Sequence, residues 1–240
     1  MKEKELCVEQ TDRQANRTDA LLALIRDGKP MTFAQRIRLT VLLSVPAVIA
    51  QLSSIVMQYI DAAMVGHLGA EASASIGLVS TTTWLFGGGC SAAAMGFSVQ
   101  VAHRIGAGDM AGARRVLKQS LAATLAFSLF LAAVGCAVSG PLPALLGGDL
   151  AIRSDASLYF FIFSMFLPAI QMSFLAGAML RCSGNMRVPS VMGVAMCVID
   201  VIFNFFLIFP TRTIELAGMS LSLPGAGLGV GGAAVSYTHL

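Results

Sequence analysis

A chain of 240 residues with 56% hydrophobic and 12% charged residues carries about half the charge of an ordinary globular domain, which excludes a water-soluble globular fold and predicts an all-α polytopic membrane protein. The formal charge of +3 does not point to nucleic acid, because the basic residues fall in the gaps between apolar runs, where they set orientation in a bilayer. Cys7, Cys90, Cys136, Cys182 and Cys197 lack CxxC spacing and read as small core residues, with no zinc site and no disulfide framework.

Residues 1–30 mix both signs of charge with Gln, Asn and Thr and lack the apolar core of a cleaved signal peptide. They are expected to form a cytoplasmic polar tail, so the glycosylation-like triplet Asn16-Arg17-Thr18 falls on an untranslocated segment. From residue 31 an amino-terminal transmembrane lobe is predicted, with Arg36 and Arg38 at its entrance. The first span, about 39–68, exceeds the roughly 20 apolar residues a crossing needs. Pro46 removes a backbone donor and crowds the turn before it, which predicts a bend near the cytoplasmic end. Asp61 sits in the same run, where an acid costs roughly 2.5–3.5 kcal/mol on insertion scales and is usually kept for ion or proton handling. The plainer reading is an acid wetted at the outer leaflet that caps the next turn. Gln58 and Tyr59 offer neutral oxygens to a hard cation or a cavity wall, or make a structural bond between helices.

A short turn at Gly66–Ser75 leads to the second span, about 76–102, whose small residues from Thr81 to Ala94 suit either close helix packing or a cavity wall. The next gap carries Arg104, Arg114, Arg115 and Lys118 and is expected to be a basic cytoplasmic loop. It lacks the Gly-Lys-Ser/Thr of a phosphate loop. The third span, about 120–138, stops before Pro141 and Pro143, and an outer loop with Asp149, Arg153 and Asp155 follows. The fourth span, about 158–180, contains Phe160, Phe161, Phe163 and Phe166, which either pack or face an aromatic ligand. After the tight basic turn Arg181–Arg187, the fifth span, about 188–209, places Asp200 midway along its length, with Asn204 one turn on and on the same face. A carboxyl group poised between burial and a bound cation can exchange protons or sodium ions for work.

Residues 210–232 read as a Gly-rich outer connection. Its Gly227, Gly229 and Gly232 match G-x-G-x-x-G without the βαβ unit that gives that pattern meaning. A partial sixth span, 229–240, reaches the end of the sequence too short to cross a bilayer with its backbone satisfied, so a carboxy-terminal lobe is expected to be missing. Of the sixteen Lys and Arg residues, all but Arg153 and Arg212 fall on the side of the amino terminus, which the positive-inside bias assigns to the cytoplasm.

The run with Pro46, Gln51 and D-x-x-x-V-G-H-L-G from Asp61 to Gly69, the G-A-G-D-x-x-x-A-R run from Gly106 to Arg114, the S-G-N-x-R-x-P turn from Ser183 to Pro189 and the stretch Asp200 to Ile208 occur in order along the chain. With them the chain resembles the amino-terminal half of the multidrug and toxic compound extrusion (MATE) transporters, over about Phe33 to Val235. The resemblance implies two six-helix lobes related by internal repetition. It implies a multi-pass protein of the plasma (bacterial inner) membrane that exports drug-like organic cations in exchange for sodium ions or protons, without covalent chemistry or a cofactor. It also implies that Asp61, Asp200 and Asn204 form a polar cluster and possible sodium site, and that Pro46 lets the first helix bend. The family more often has Asn at the position of Asp200, so this chain holds a carboxylate one turn earlier. A flippase for lipid-linked saccharides is the alternative. It would need Lys or Arg for pyrophosphate inside the apolar runs, which hold none. An intramembrane enzyme would need a motif such as HExxH or G-x-S-x-G within a span, and none is present.

Overall fold

The computed structural model describes residues 20–21, 23–25, 27–184, 187–208, 210–216 and 219–238. Six helices dominate: α1 (Phe33–Gly66), α2 (Ala70–Gly106), α3 (Met110–Val138), α4 (Leu150–Cys182), α5 (Arg187–Ile208) and α6 (Gly229–Thr238). The first five are long and apolar enough to cross a membrane.

The helix starts are written in short-range chemistry. At α1, Thr32 Oγ1 accepts the Gln35 backbone N–H and Gln35 Oε1 accepts the Thr32 N–H at 2.9 Å, so two donors that a helix start leaves open are satisfied reciprocally. At α3 the N-cap is Asp109, whose Oδ1 accepts from the Gly112 N–H at 2.8 Å while Arg104 Nη1 donates to Oδ2 at 3.0 Å. The Gly112 amide and then the Arg104 guanidinium hold this carboxyl group below the usual carboxylate range. Asp149 caps α4 in the same manner, accepting from the Ala151 N–H at 3.2 Å.

These caps explain why the helices outrun the apolar stretches. The expected basic loop carrying Arg114, Arg115 and Lys118 is instead helical from Met110, so these cations ride on the first turns of α3. Arg153 and Asp155 likewise belong to the start of α4 rather than to a loop, and Arg153 Nε donates to the Gly148 carbonyl at 2.8 Å. Hydropathy marks the lipid-crossing length, whereas the cap marks where the helix begins.

The expected irregular connection after α5 contains an antiparallel hairpin, β1 (Pro210–Leu216) and β2 (Met219–Ala226), in which Ile214 pairs with Leu221 and Leu216 with Met219. Its sequence signal is the strict alternation Met219-Ser220-Leu221-Ser222-Leu223, the period of a strand. Among the described residues the other regular elements are helices.

The helices form two groups. In the first, α2, α3 and α4 bundle around Val79, Cys90, Ala132, Phe160, Phe163 and Leu167, all buried. Phe160 meets Phe86 edge to face with centroids 5.6 Å apart, and Phe163 lies 6.3 Å from Phe160, so two of the four clustered phenylalanines are packing residues. The buried positions of α3, namely Ser120, Thr124, Ser128, Ala132 and Gly135, recur every three or four residues and so form one stripe. Gly135 is needed there because any side chain at this position collides with Ser164 Oγ of α4. The second group is α1 with α5, and α6 lies against both α4 and α5. A Cβ at Gly232 would stand 2.7 Å from the Leu207 carbonyl oxygen, so the last glycine of G-x-G-x-x-G lets α6 approach the end of α5.

Candidate functional site

The polar cluster lies in the seam between α1 and α5. On α5 the residues Cys197, Asp200, Asn204 and Ile208 recur every three or four positions. On α1, Ser53, Met57 and Asp61 recur every four, so each set forms one stripe. The stripes face each other: Cys197 Sγ donates to the Ser53 carbonyl at 3.0 Å, and two turns further along Asn204 reaches Asp61.

Asn204 is the centre of the cluster. Its Nδ2 donates to Asp61 Oδ1 at 2.7 Å and to Asp200 Oδ2 at 3.0 Å. The amide nitrogen must face the carboxylates, because its oxygen in that place would oppose two acceptors with a third. Asp200 and Asn204 are buried, 4% and 2% exposed, whereas Asp61 is half-buried. The single amide thus spends both its hydrogens on two acids from different helices. Asn204 Oδ1 is itself buried and has no hydrogen-bond partner among the described residues.

Asp61 and Asp200 therefore turn carboxylate oxygens toward one amide nitrogen, and Asn204 adds a buried amide oxygen to the same cluster. Hard oxygen donors of this kind suit a proton or an alkali cation better than a transition metal. The apolar runs hold no Lys or Arg to neutralise the two acids.

The structure thus brings together Asp61, Asp200 and Asn204 as the sequence expects. Asp61 spends one carboxylate oxygen on Asn204, and α1 is closed by the His67 backbone N–H on the Ala63 and Val65 carbonyls. Gln58 and Tyr59 stand apart: both are exposed on α1 and make no hydrogen bond among the described residues. Pro46 lies within α1, which is helical on both sides of it, but its ring is outside the described side chains. Cys197 and Ser53 escaped the sequence reading. Their signal was present, because Cys197 precedes Asp200 by three and Ser53 precedes Asp61 by eight, which puts each on the stripe of its acid.

Three comparisons set the chain beside known proteins. The model of the MatE family matches residues 46–206. A FAD transporter of Shewanella oneidensis is 24% identical over 186 residues, covering 75% of this chain and 40% of that protein. Among solved structures, a MATE protein in complex with MaD3S superposes with a TM-score of 0.72 at 21% identity, over 82% of this chain and 41% of the other. An outward-facing multidrug resistance MATE family transporter of the MOP superfamily gives 0.67 at 22% identity, over 82% and 40%. The chain thus spans about two fifths of the length of the proteins it matches.

Proposed function

Because the chain belongs to the MatE family of membrane transporters, we propose that it supplies the amino-terminal lobe of a secondary antiporter that exports drug-like or cationic organic compounds in exchange for sodium ions or protons. The observation that carries this reading is the Asn204 amide shared by Asp61 and Asp200 across the α1–α5 seam.

Two ionised carboxylates held to one amide in a low-dielectric seam repel each other. A proton on either acid, or a sodium ion among their oxygens and Asn204 Oδ1, removes that repulsion and draws α1 toward α5. Loss of the ion restores it and loosens the seam. The ion therefore binds the closed seam better than the loosened one, and that difference in affinity is what lets a gradient shift the helices. An organic cation drawn to the same negative charge competes with the coupling ion, which is the logic of exchange. Pro46 gives α1 a point at which to bend as the seam changes, and Gln58 and Tyr59, exposed on the same helix, line the path of the substrate. A carboxylate seam without Lys or Arg also favours cationic cargo over the pyrophosphate of a lipid-linked saccharide.

The test is gradient-driven uptake of an organic cation into inside-out vesicles carrying a full-length transporter that contains this lobe, with a sodium or proton gradient imposed in turn. Asp200→Asn keeps shape and hydrogen-bonding capacity but removes the titratable charge. It is expected to abolish gradient-driven uptake at matched protein level across about pH 6 to 8, as is Asp61→Asn. Uptake at the parent rate by Asp200→Asn would remove the coupling role. The proposed orientation, with the amino terminus in the cytoplasm of a bacterial cell, predicts that a cysteine replacing Arg114 in a cysteine-free background reacts with an impermeant thiol reagent only after the membrane is opened. Reaction in intact cells would invert the topology.

A further inference from the structure

The α2–α3–α4 bundle contains polar atoms that the seam does not use. Gln171 of α4 is fully buried, and neither its Nε2 nor its Oε1 has a hydrogen-bond partner among the described residues. Ser164 Oγ, also fully buried, has none either. An amide left dry and unpaired costs roughly 1–3 kcal/mol, and buried polar atoms are nearly always satisfied by protein or by ordered water. Between the two lies Pro168, a proline inside the helix. It lacks the N–H that would reach the Ser164 carbonyl four residues back, so a third polar group is released at the same place.

Their positions converge. Ser164 and Gln171 are seven residues apart and lie on the same stripe of α4, about 10.5 Å along the axis. A long helical side chain leans back toward the amino terminus by about one turn. The Gln171 amide is thereby turned back along α4 toward Ser164, whose freed carbonyl points forward toward it, the arrangement in which one water can be shared through hydrogen bonds. The neighbouring stripe of α3 presents small residues to both, with Gly135 in close approach to Ser164 and Ser128 seven residues before it, level with Gln171 in an antiparallel pair. Ser128 Oγ donates to the Leu125 carbonyl at 3.0 Å and keeps its lone pairs for another donor.

We propose that the Pro168 break in α4 is a buried hydration site, in which Ser164 and Gln171 hold an ordered water inside the bundle. The ligand is water and not a metal cation, because every group offered is neutral and an unneutralised ion would be far more expensive in this surrounding. The water takes the hydrogen bonds that the proline withholds, so α4 passes the break with its polar atoms satisfied and without a partner helix supplying them.

Radiolytic footprinting tests this directly. Brief X-ray irradiation of the protein in lipid nanodiscs converts a bound water to hydroxyl radical in place and marks the side chains beside it, even where radicals from bulk solvent do not enter. Leu167, 0% exposed and on the Ser164–Gln171 face, is the reporter. Met110, 55% exposed at the start of α3, is the solvent control. Leu167 is expected to be oxidised in the unaltered protein, and the doubly substituted Ser164→Ala, Gln171→Leu protein is expected to lose about tenfold of that signal with Met110 unchanged. An unmarked Leu167 in the unaltered protein overturns the proposal whatever the variant does, and so does equal marking in both proteins.

Discussion

Across the α1–α5 seam the Asn204 amide donates once within its own helix, to Asp200, and once across to Asp61, so one of its two bonds lasts only while the helices stay together, whereas in the α2–α3–α4 bundle seven buried hydroxyls turn back on their own helices. Ser75, Thr83, Ser98, Ser120, Thr124, Ser128 and Ser139 each donate to a carbonyl three or four residues earlier, at 2.6–3.0 Å. Bonds of that kind survive any movement between helices, so the bundle is held by shape, with Phe160, Leu167 and Val79 filling the space between small residues. The seam is held by hydrogen bonds to two carboxyl groups. Under the proposed mechanism the bundle keeps its shape as pH changes and the seam responds.

The sharpest way to break this contrast is Phe160→Ala. Removing a fully buried ring from the bundle is expected to lower stability by about 3–5 kcal/mol, read as a fall in thermal midpoint in nanodiscs, while the pH dependence of remaining uptake keeps its shape. Asp200→Asn should do the reverse, abolishing uptake with little change of midpoint. If Phe160→Ala shifted the pH profile, the two regions would not be separate. Gly232→Ala comes next. The new Cβ meets the Leu207 carbonyl and should cost about 1–3 kcal/mol through displacement of α6 from α5, measured by the same midpoint.

The smallest effect belongs to Asp109. Its carboxyl group is lowered in the folded protein by the Gly112 amide and Arg104, so its contribution is complete above the ordinary carboxylate pKa of about 3.9 and is lost as pH falls through the lowered value. Hydrogen exchange at the Gly112 amide should quicken over that acidic range. Asp109→Asn, which keeps an acceptor oxygen for the cap, should flatten the dependence, and an unchanged profile would show that charge is irrelevant there.

The seam acids were legible in the sequence because a carboxylate interrupts an apolar run and the alphabet makes that visible. Asp61 and Asp200 each stand out in this way, and Asn204 follows from its four-residue spacing to Asp200. Gln171 left no comparable mark, since a neutral amide barely disturbs hydropathy and its lack of a partner is a property of three dimensions. Arg114 and Arg115 were misplaced for a different reason. Charge reports the side of the membrane, but the cap at Asp109 decides that they are helical. Cys197 was read as a small core residue, which fits its half-buried place on α5 and is silent about its bond to Ser53. The hairpin after α5 was hidden by its glycines and prolines, although five residues of strict alternation lay within it.

The pairing of Asp61 with Asn204 joins residues 143 positions apart in the chain. At a synthesis rate of about 5–20 residues per second, α1 is made roughly seven to thirty seconds before α5. For that interval the acid on α1 has no amide to hold it. Asp61 lies little more than one turn from the end of α1 at Gly66, close enough to a membrane surface for water to serve in the meantime. The bundle of α2, α3 and α4 can form as soon as α4 emerges, but the seam waits for α5. The order of helices in the gene thus makes the carboxylate seam the later part to assemble, and α1, the first span made, spends its early life waiting for its partner.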